Sequence, residues 1–132
     1  MVSGFVRARR PRAGFTLIEL LVVMAIVALL GSIAAPRYFS SLAKSKETAL
    51  LQTLSVMRES TDRFYADTGK YPDNLEALVT ACYLRSLPFD PISESNATWI
   101  IVPPDDAAKG GVYDLHSAAD GIGRNGRPFR EW

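Results

Sequence analysis

The sequence predicts an α+β fold: one long N-terminal α-helix packed on a small head that holds a short helix and an antiparallel β-hairpin. Three observations carry this. Phe15 to Ala35 is an apolar run in which 17 of 21 residues are hydrophobic. Helical spacing of apolar residues resumes after Pro36 and continues towards Gly69. The last half of the chain then breaks into short elements, with six of its eight prolines lying beyond Lys70. With 132 residues there is room for one small domain beside such a helix.

Residues 1–14 carry Arg7, Arg9, Arg10 and Arg12 and no acid, so the formal charge of +1 for the whole chain divides into +4 here and −3 in the rest. The near-neutral total gives no argument for nucleic acid as a partner. A single cysteine and a single histidine exclude an internal disulfide framework and a zinc centre built on Cys or His clusters.

At 1.5 Å per residue the helix over 15–35 is about 31 Å long, close to the ~30 Å of a bilayer core. The arginines before it place the N-terminus in the cytoplasm and everything after Pro36 outside. A secretory signal peptide is one reading, with Ser32-Ile33-Ala34 as a small-x-small cleavage site, but the apolar run exceeds the usual ~7 to 15 residues. A plain uncleaved anchor is another. Neither explains Glu19, a carboxylate inside the apolar run, where an ionised group at full depth costs about 2.5 to 3.5 kcal/mol or more.

After Pro36, Leu50, Leu54, Met57, Thr61, Phe64 and Tyr65 fall at helical spacing, with Lys44, Lys46, Glu47, Arg58, Glu59 and Asp62 on other faces. This amphipathic half spans 36–68, and Gly69 is its expected C-cap. Gly31 and Pro36 mark the expected kink, because proline removes one helix hydrogen bond. In the head, 69–132, Asp73 and Glu76 suit a capping box for a helix through about Tyr83, with Leu75, Leu78, Val79 and Cys82 on one face. Cys82 on that face reads as a small buried hydrophobe. Leu87-Pro88-Phe89-Asp90-Pro91 ends that helix, and Thr98 to Val102 and Val112 to His116 read as two strands.

Gly14-Phe15-Thr16-Leu17-Ile18-Glu19, after a basic leader and before Leu20 to Val27, resembles the processing motif of type IV pilins and type II secretion pseudopilins. Pro36 matches a recurrent helix-kinking proline of these proteins. Lys70-Tyr71-Pro72, the Leu87-Pro88-x-Asp90-Pro91 turn and the run from Tyr113 to Gly121 resemble the major pseudopilin, the G class. The resemblance implies a pilin-like fold and cleavage by a prepilin peptidase between Gly14 and Phe15, with N-methylation of Phe15. It further implies assembly through Glu19 into a homopolymeric filament. The implied partners are minor pseudopilins and an inner-membrane assembly platform with its ATPase. The implied location is the bacterial inner membrane, single-pass, with a periplasmic head. Nucleic acid is not among the partners.

Major pseudopilins, by the same resemblance, hold calcium in the C-terminal loop through acidic side chains after the Ala-Asp-Gly turn and backbone carbonyls. Here Asp120 keeps the first such position, but Arg124, Arg127 and Arg130 stand where acids are expected. A hard cation wants six to eight oxygens, and arginines repel it. The expectation is therefore that no cofactor is required, with calcium kept as the alternative that these arginines disfavour, and that a guanidinium, most simply that of Arg124, pairs with Asp120 or Asp114. Catalysis has little support. His116 stands without a second histidine, Ser117 lacks a glycine-framed elbow, and no phosphate loop or dinucleotide fingerprint occurs. The contrasting class is a membrane-tethered binding or enzymatic domain, which would keep its leader and tolerate loss of Glu19.

Overall fold

The computed structural model describes residues 2–4, 9, 11 and 13–132. Arg7, Arg10 and Arg12 of the basic leader lie outside the described residues. The chain divides into two compact units, Met1–Phe39 and Ser40–Trp132, with the boundary just past Pro36. The helix α1, Leu17–Thr68, contributes to both. Pro36 sits inside it, and the helix is continuous across Gly31 and Pro36.

In the first unit every residue of α1 is exposed to solvent, including Leu17, Ile18, Leu21, Met24, Leu29 and Leu30. Among the described residues α1 is the one helix long and apolar enough to cross a membrane. Such an exposed apolar cylinder is stable in lipid or against other helices, not in water.

In the second unit α1 turns amphipathic and buries Leu50, Leu54, Met57, Ser60 and Thr61. The spacing of three and four residues keeps this stripe on one face. Ser60 and Thr61 lie on it with their hydroxyls satisfied, because they donate to the carbonyls of Val56 and Met57 one turn back. Gly69 ends the helix with φ +74°, and its N–H donates to Tyr65 O at 2.8 Å.

The head helix α2 is shorter than the sequence suggests, Leu75–Thr80, and its N-cap is Asn74 rather than Asp73, with Asn74 Oδ1 accepting from Ala77 N–H at 2.8 Å. Tyr83 and Leu84 N–H both donate to Leu78 O, which closes the helix early. Cys82 therefore leaves the helical period, takes φ +64° and is exposed, a correction to its expected burial. Strands β1, Trp99–Val102, and β2, Asp114–Ser117, pair antiparallel, with Trp99 opposite Ser117 and Val102 opposite Asp114. Leu75, Leu78, Leu84, Trp99, Val112 and Leu115 join the α1 stripe in one core, closed by Ala119, Phe129 and Trp132.

Two polar fastenings hold the layers. Arg58 donates from Nε to Asp114 Oδ1 at 2.7 Å and from Nη2 to Leu115 O at 3.0 Å, tying α1 to β2. Asp90 is fully buried; its Oδ1 accepts from Ile92 and Ser93 N–H at 2.8 and 3.2 Å, and its Oδ2 accepts from the Ser117 hydroxyl. Ser117 Oγ in turn accepts from Ala119 N–H at 3.1 Å.

Candidate assembly site at the helix N-terminus

A helix start leaves its first N–H groups without partners. Thr16, the residue before Leu17, supplies the cap: its Oγ1 accepts from Glu19 N–H at 3.2 Å. Glu19 reaches back, and its Oε2 accepts from Thr16 N–H at 3.0 Å and from the Thr16 hydroxyl at 3.3 Å. This is a reciprocal capping box. Its signal, Thr-x-x-Glu before an apolar run, stands in the sequence beside the motif that the resemblance ties to assembly.

The box defines what the site can do. The Glu19 carboxylate lies in the first turn, where the positive end of the helix dipole favours negative charge. Gly14 and Phe15 precede the helix in irregular, exposed backbone, with Phe15 86 % exposed and its ring free of the chain. A Cβ at Gly14 would meet nothing within 4 Å. An extended, unobstructed peptide bond is what a protease needs to bind and cut.

The C-terminal loop is built differently from its expectation. Both acids have a guanidinium, but neither has that of Arg124: Asp114 is held by Arg58, and Asp120 by Arg130 Nη2 at 2.9 Å. Arg124 instead donates its backbone N–H to Glu47 Oε1 at 3.1 Å. Arg127 lies against Glu131, with Nη2 donating to Glu131 O at 3.2 Å. The loop packs through Phe129 against Trp132, ring centroids 5.1 Å apart, and a Cβ at Gly123 would stand 2.2 Å from the Trp132 ring. His116 Nδ1 is hydrogen-bonded to Trp132 O. Asp120 thus faces a cation that the chain itself supplies, and among the described residues no three acidic, histidine or cysteine side chains converge. These side chains alone do not supply the oxygen set that a hard divalent ion takes.

Comparison with known proteins bears on the whole chain. Residues 9–35 match the prokaryotic N-terminal methylation motif. The type II secretion system core protein G of Pseudomonas aeruginosa is 31 % identical, over 86 % of this chain and 87 % of that protein. The chain belongs to the type IV pilin and pseudopilin family. The core protein G of Escherichia coli is 28 % identical over 85 % of this pilin-like chain and 84 % of its own length. The type IV wide pilus major component PilA4 of Thermus thermophilus is 31 % identical over 83 % and 92 %. No solved structure matches. This subunit thus combines a methylation motif, an apolar helix and a compact α+β head, as the G-class resemblance implies.

Proposed function

We propose that the chain is a structural subunit of a type II secretion pseudopilus. The leader sets the topology, with the N-terminus cytoplasmic and the head periplasmic. A prepilin peptidase then cuts between Gly14 and Phe15 and methylates Phe15. An inner-membrane assembly platform, powered by its ATPase, stacks the subunits into a filament with minor pseudopilins. That filament acts as a piston or screw for protein export. The head requires no cofactor, its C-terminal loop being held by Arg130 on Asp120 and Arg127 on Glu131.

One observation carries this reading: the single acid of the apolar helix sits in its first turn, three residues past the cap. Cleavage creates a positive amine at Phe15, and two buried opposite charges are less costly paired than alone. In the monomer the Thr16 N–H and hydroxyl satisfy one Glu19 oxygen. The other remains open to a neighbour's Phe15 amine, so pairing during assembly sets the register while the helix stays capped. The apolar helices exchange lipid for protein contacts, and their packing selects the geometry.

A pilus for adhesion, motility or DNA uptake is the second reading, favoured by the similarity to PilA4. A secretion assay in a strain lacking this subunit separates the two, because only the first reading predicts exoprotein retained in the periplasm. Glu19→Ala and Glu19→Gln test the shared mechanism. Both variants are expected to be cleaved, yet neither to form filaments. The glutamine variant keeps an acceptor for Thr16, so its failure isolates the role of the charge. Normal filaments from Glu19→Gln would contradict the pairing.

A further inference from the structure

We propose that the open edge of β1 is a docking site for an extended, basic peptide segment of another protein, which adds there as a third strand. β2 pairs with one side of β1, and among the described residues the sheet has no third strand. Thr98 and Val102 turn their carbonyls towards β2, accepting from Ala118 and Tyr113 N–H at 3.1 and 2.9 Å. Main-chain groups alternate along a strand, so Trp99 and Ile101 turn theirs to the other side. Among the described residues neither their N–H groups nor their carbonyls have a partner there. Two residues of extended chain span about 6.8 Å, so this edge offers donors and acceptors at the repeat of an incoming strand.

The cavity beside this edge sets what the segment must carry. It has a volume of about 300 Å³, with Leu75, Leu87, Trp99 and Ile101 as apolar walls and the exposed Asp73 and Glu76 on its α2 side. Among the described residues neither carboxylate has an ion pair, and no basic side chain lines the cavity. A residue docked opposite Trp99 or Ile101 turns its side chain to the face those residues occupy. A lysine or arginine there lays its aliphatic stem on the apolar walls and its charge beside the acids.

The walls are fixed before any ligand arrives. Gly111 and Val112 N–H donate to Pro72 O at 3.1 and 2.9 Å, and a Cβ at Gly111 would stand 2.2 Å from Asp73 O, so only glycine lets the two segments approach this closely. Asn74 caps α2, and the Trp99 indole N–H donates to Pro88 O at 3.2 Å. A site held in this way loses little freedom on binding. β1 itself carries no charge to guard its edge, while Pro103 and Pro104 limit that edge to four residues. The same edge of a second copy is a poor match, because β1 on β1 would set two pairs of these carboxylates against each other. A segment of opposite charge meets no such repulsion.

The test is an NMR titration of the full chain in detergent with the end-blocked peptide Ser-Val-Lys-Val-Ser-Val, following the amide signals of Trp99 and Ile101. Saturable shifts are expected. The affinity should fall about tenfold or more when glutamate replaces the lysine of the peptide, and likewise when Asp73→Asn and Glu76→Gln are combined in the chain. Both side chains are exposed, so that double variant should melt like the unaltered chain. Methylating the backbone nitrogen of the peptide's lysine, which faces the edge in this register, should abolish binding, whereas attraction to the carboxylates alone would survive it. Unchanged affinity of the double variant, unchanged affinity for the methylated peptide, or no saturable shift would each overturn the proposal. So would shifts of Trp99 and Ile101 that depend on protein concentration without peptide, since a second copy would then fill the edge.

Discussion

Replacing Asp90 with alanine removes the acceptor for two backbone N–H groups and one hydroxyl at the centre of the head. A buried donor left without a partner costs about 1 to 3 kcal/mol. Ile92 and Ser93 are only half-buried and can recover water, which places them at the low end, while Ser117 is fully buried. The sum is roughly 3 to 5 kcal/mol, large for one substitution. In a domain of this size 1 kcal/mol shifts the midpoint by about 4 to 8 °C, so Asp90→Ala should lower it by at least ~12 °C. Asp90→Asn keeps an oxygen for Ile92 and Ser93 and turns an amide towards the second lone pair of Ser117 Oγ. Because the Ser117 hydroxyl proton still loses its acceptor, it should cost about 1 to 3 kcal/mol, less than alanine. Near-UV circular dichroism of the full chain in detergent follows the transition, because Trp99, whose indole N–H donates to Pro88 O at 3.2 Å, lies beside this loop. The reasoning fails if Asp90→Ala melts within about 4 °C of the unaltered chain. It fails equally if asparagine is as damaging as alanine.

Two further outcomes are expected. With the C-terminal loop held by Arg130 on Asp120, neither chelator nor added calcium should move the melting temperature, and Arg130→Ala should cost only about 0.5 kcal/mol because the pair is exposed; a large calcium-dependent rise would contradict this. Tyr83 donates its hydroxyl to Asp67 Oδ2 at 2.6 Å, and this bond, then burial, then the charge of Asp67 push its pKa above 10.0. The folded state thus holds that proton more tightly than the unfolded one. The stabilisation is complete below the unfolded pKa and is lost as pH rises through the folded pKa. The urea midpoint should therefore fall as pH rises above about 10, and less so in Tyr83→Phe.

What the sequence shows without a structure depends on how local the cause is. The membrane-length helix, the α1 stripe and the two strands follow from hydrophobic period, and the structure moves their ends by only a residue or two. The Thr16 and Glu19 box was equally legible, since both partners lie within one turn. Long-range pairing was not. Arg58 meets Asp114 across 56 positions, and Asp90 meets Ser117 across 27, so nothing in the local pattern selects them over other arginines and acids. The expectation places Arg124 on Asp120 or Asp114, whereas the fold brings Arg130 to the first and Arg58 to the second. Cys82 was misplaced because its burial depended on two more residues of helix, which the turn after Thr80 removes.

The central claim is that this chain works as a processed subunit whose new amine at Phe15 meets Glu19 in a filament. Intact-mass spectrometry of the subunit recovered from sheared filaments, after co-expression with a prepilin peptidase, tests it most directly. The account predicts a single species that lacks residues 1–14 and carries one added methyl group at Phe15. Filaments composed of full-length chain, or of chain cut elsewhere than between Gly14 and Phe15, would contradict it.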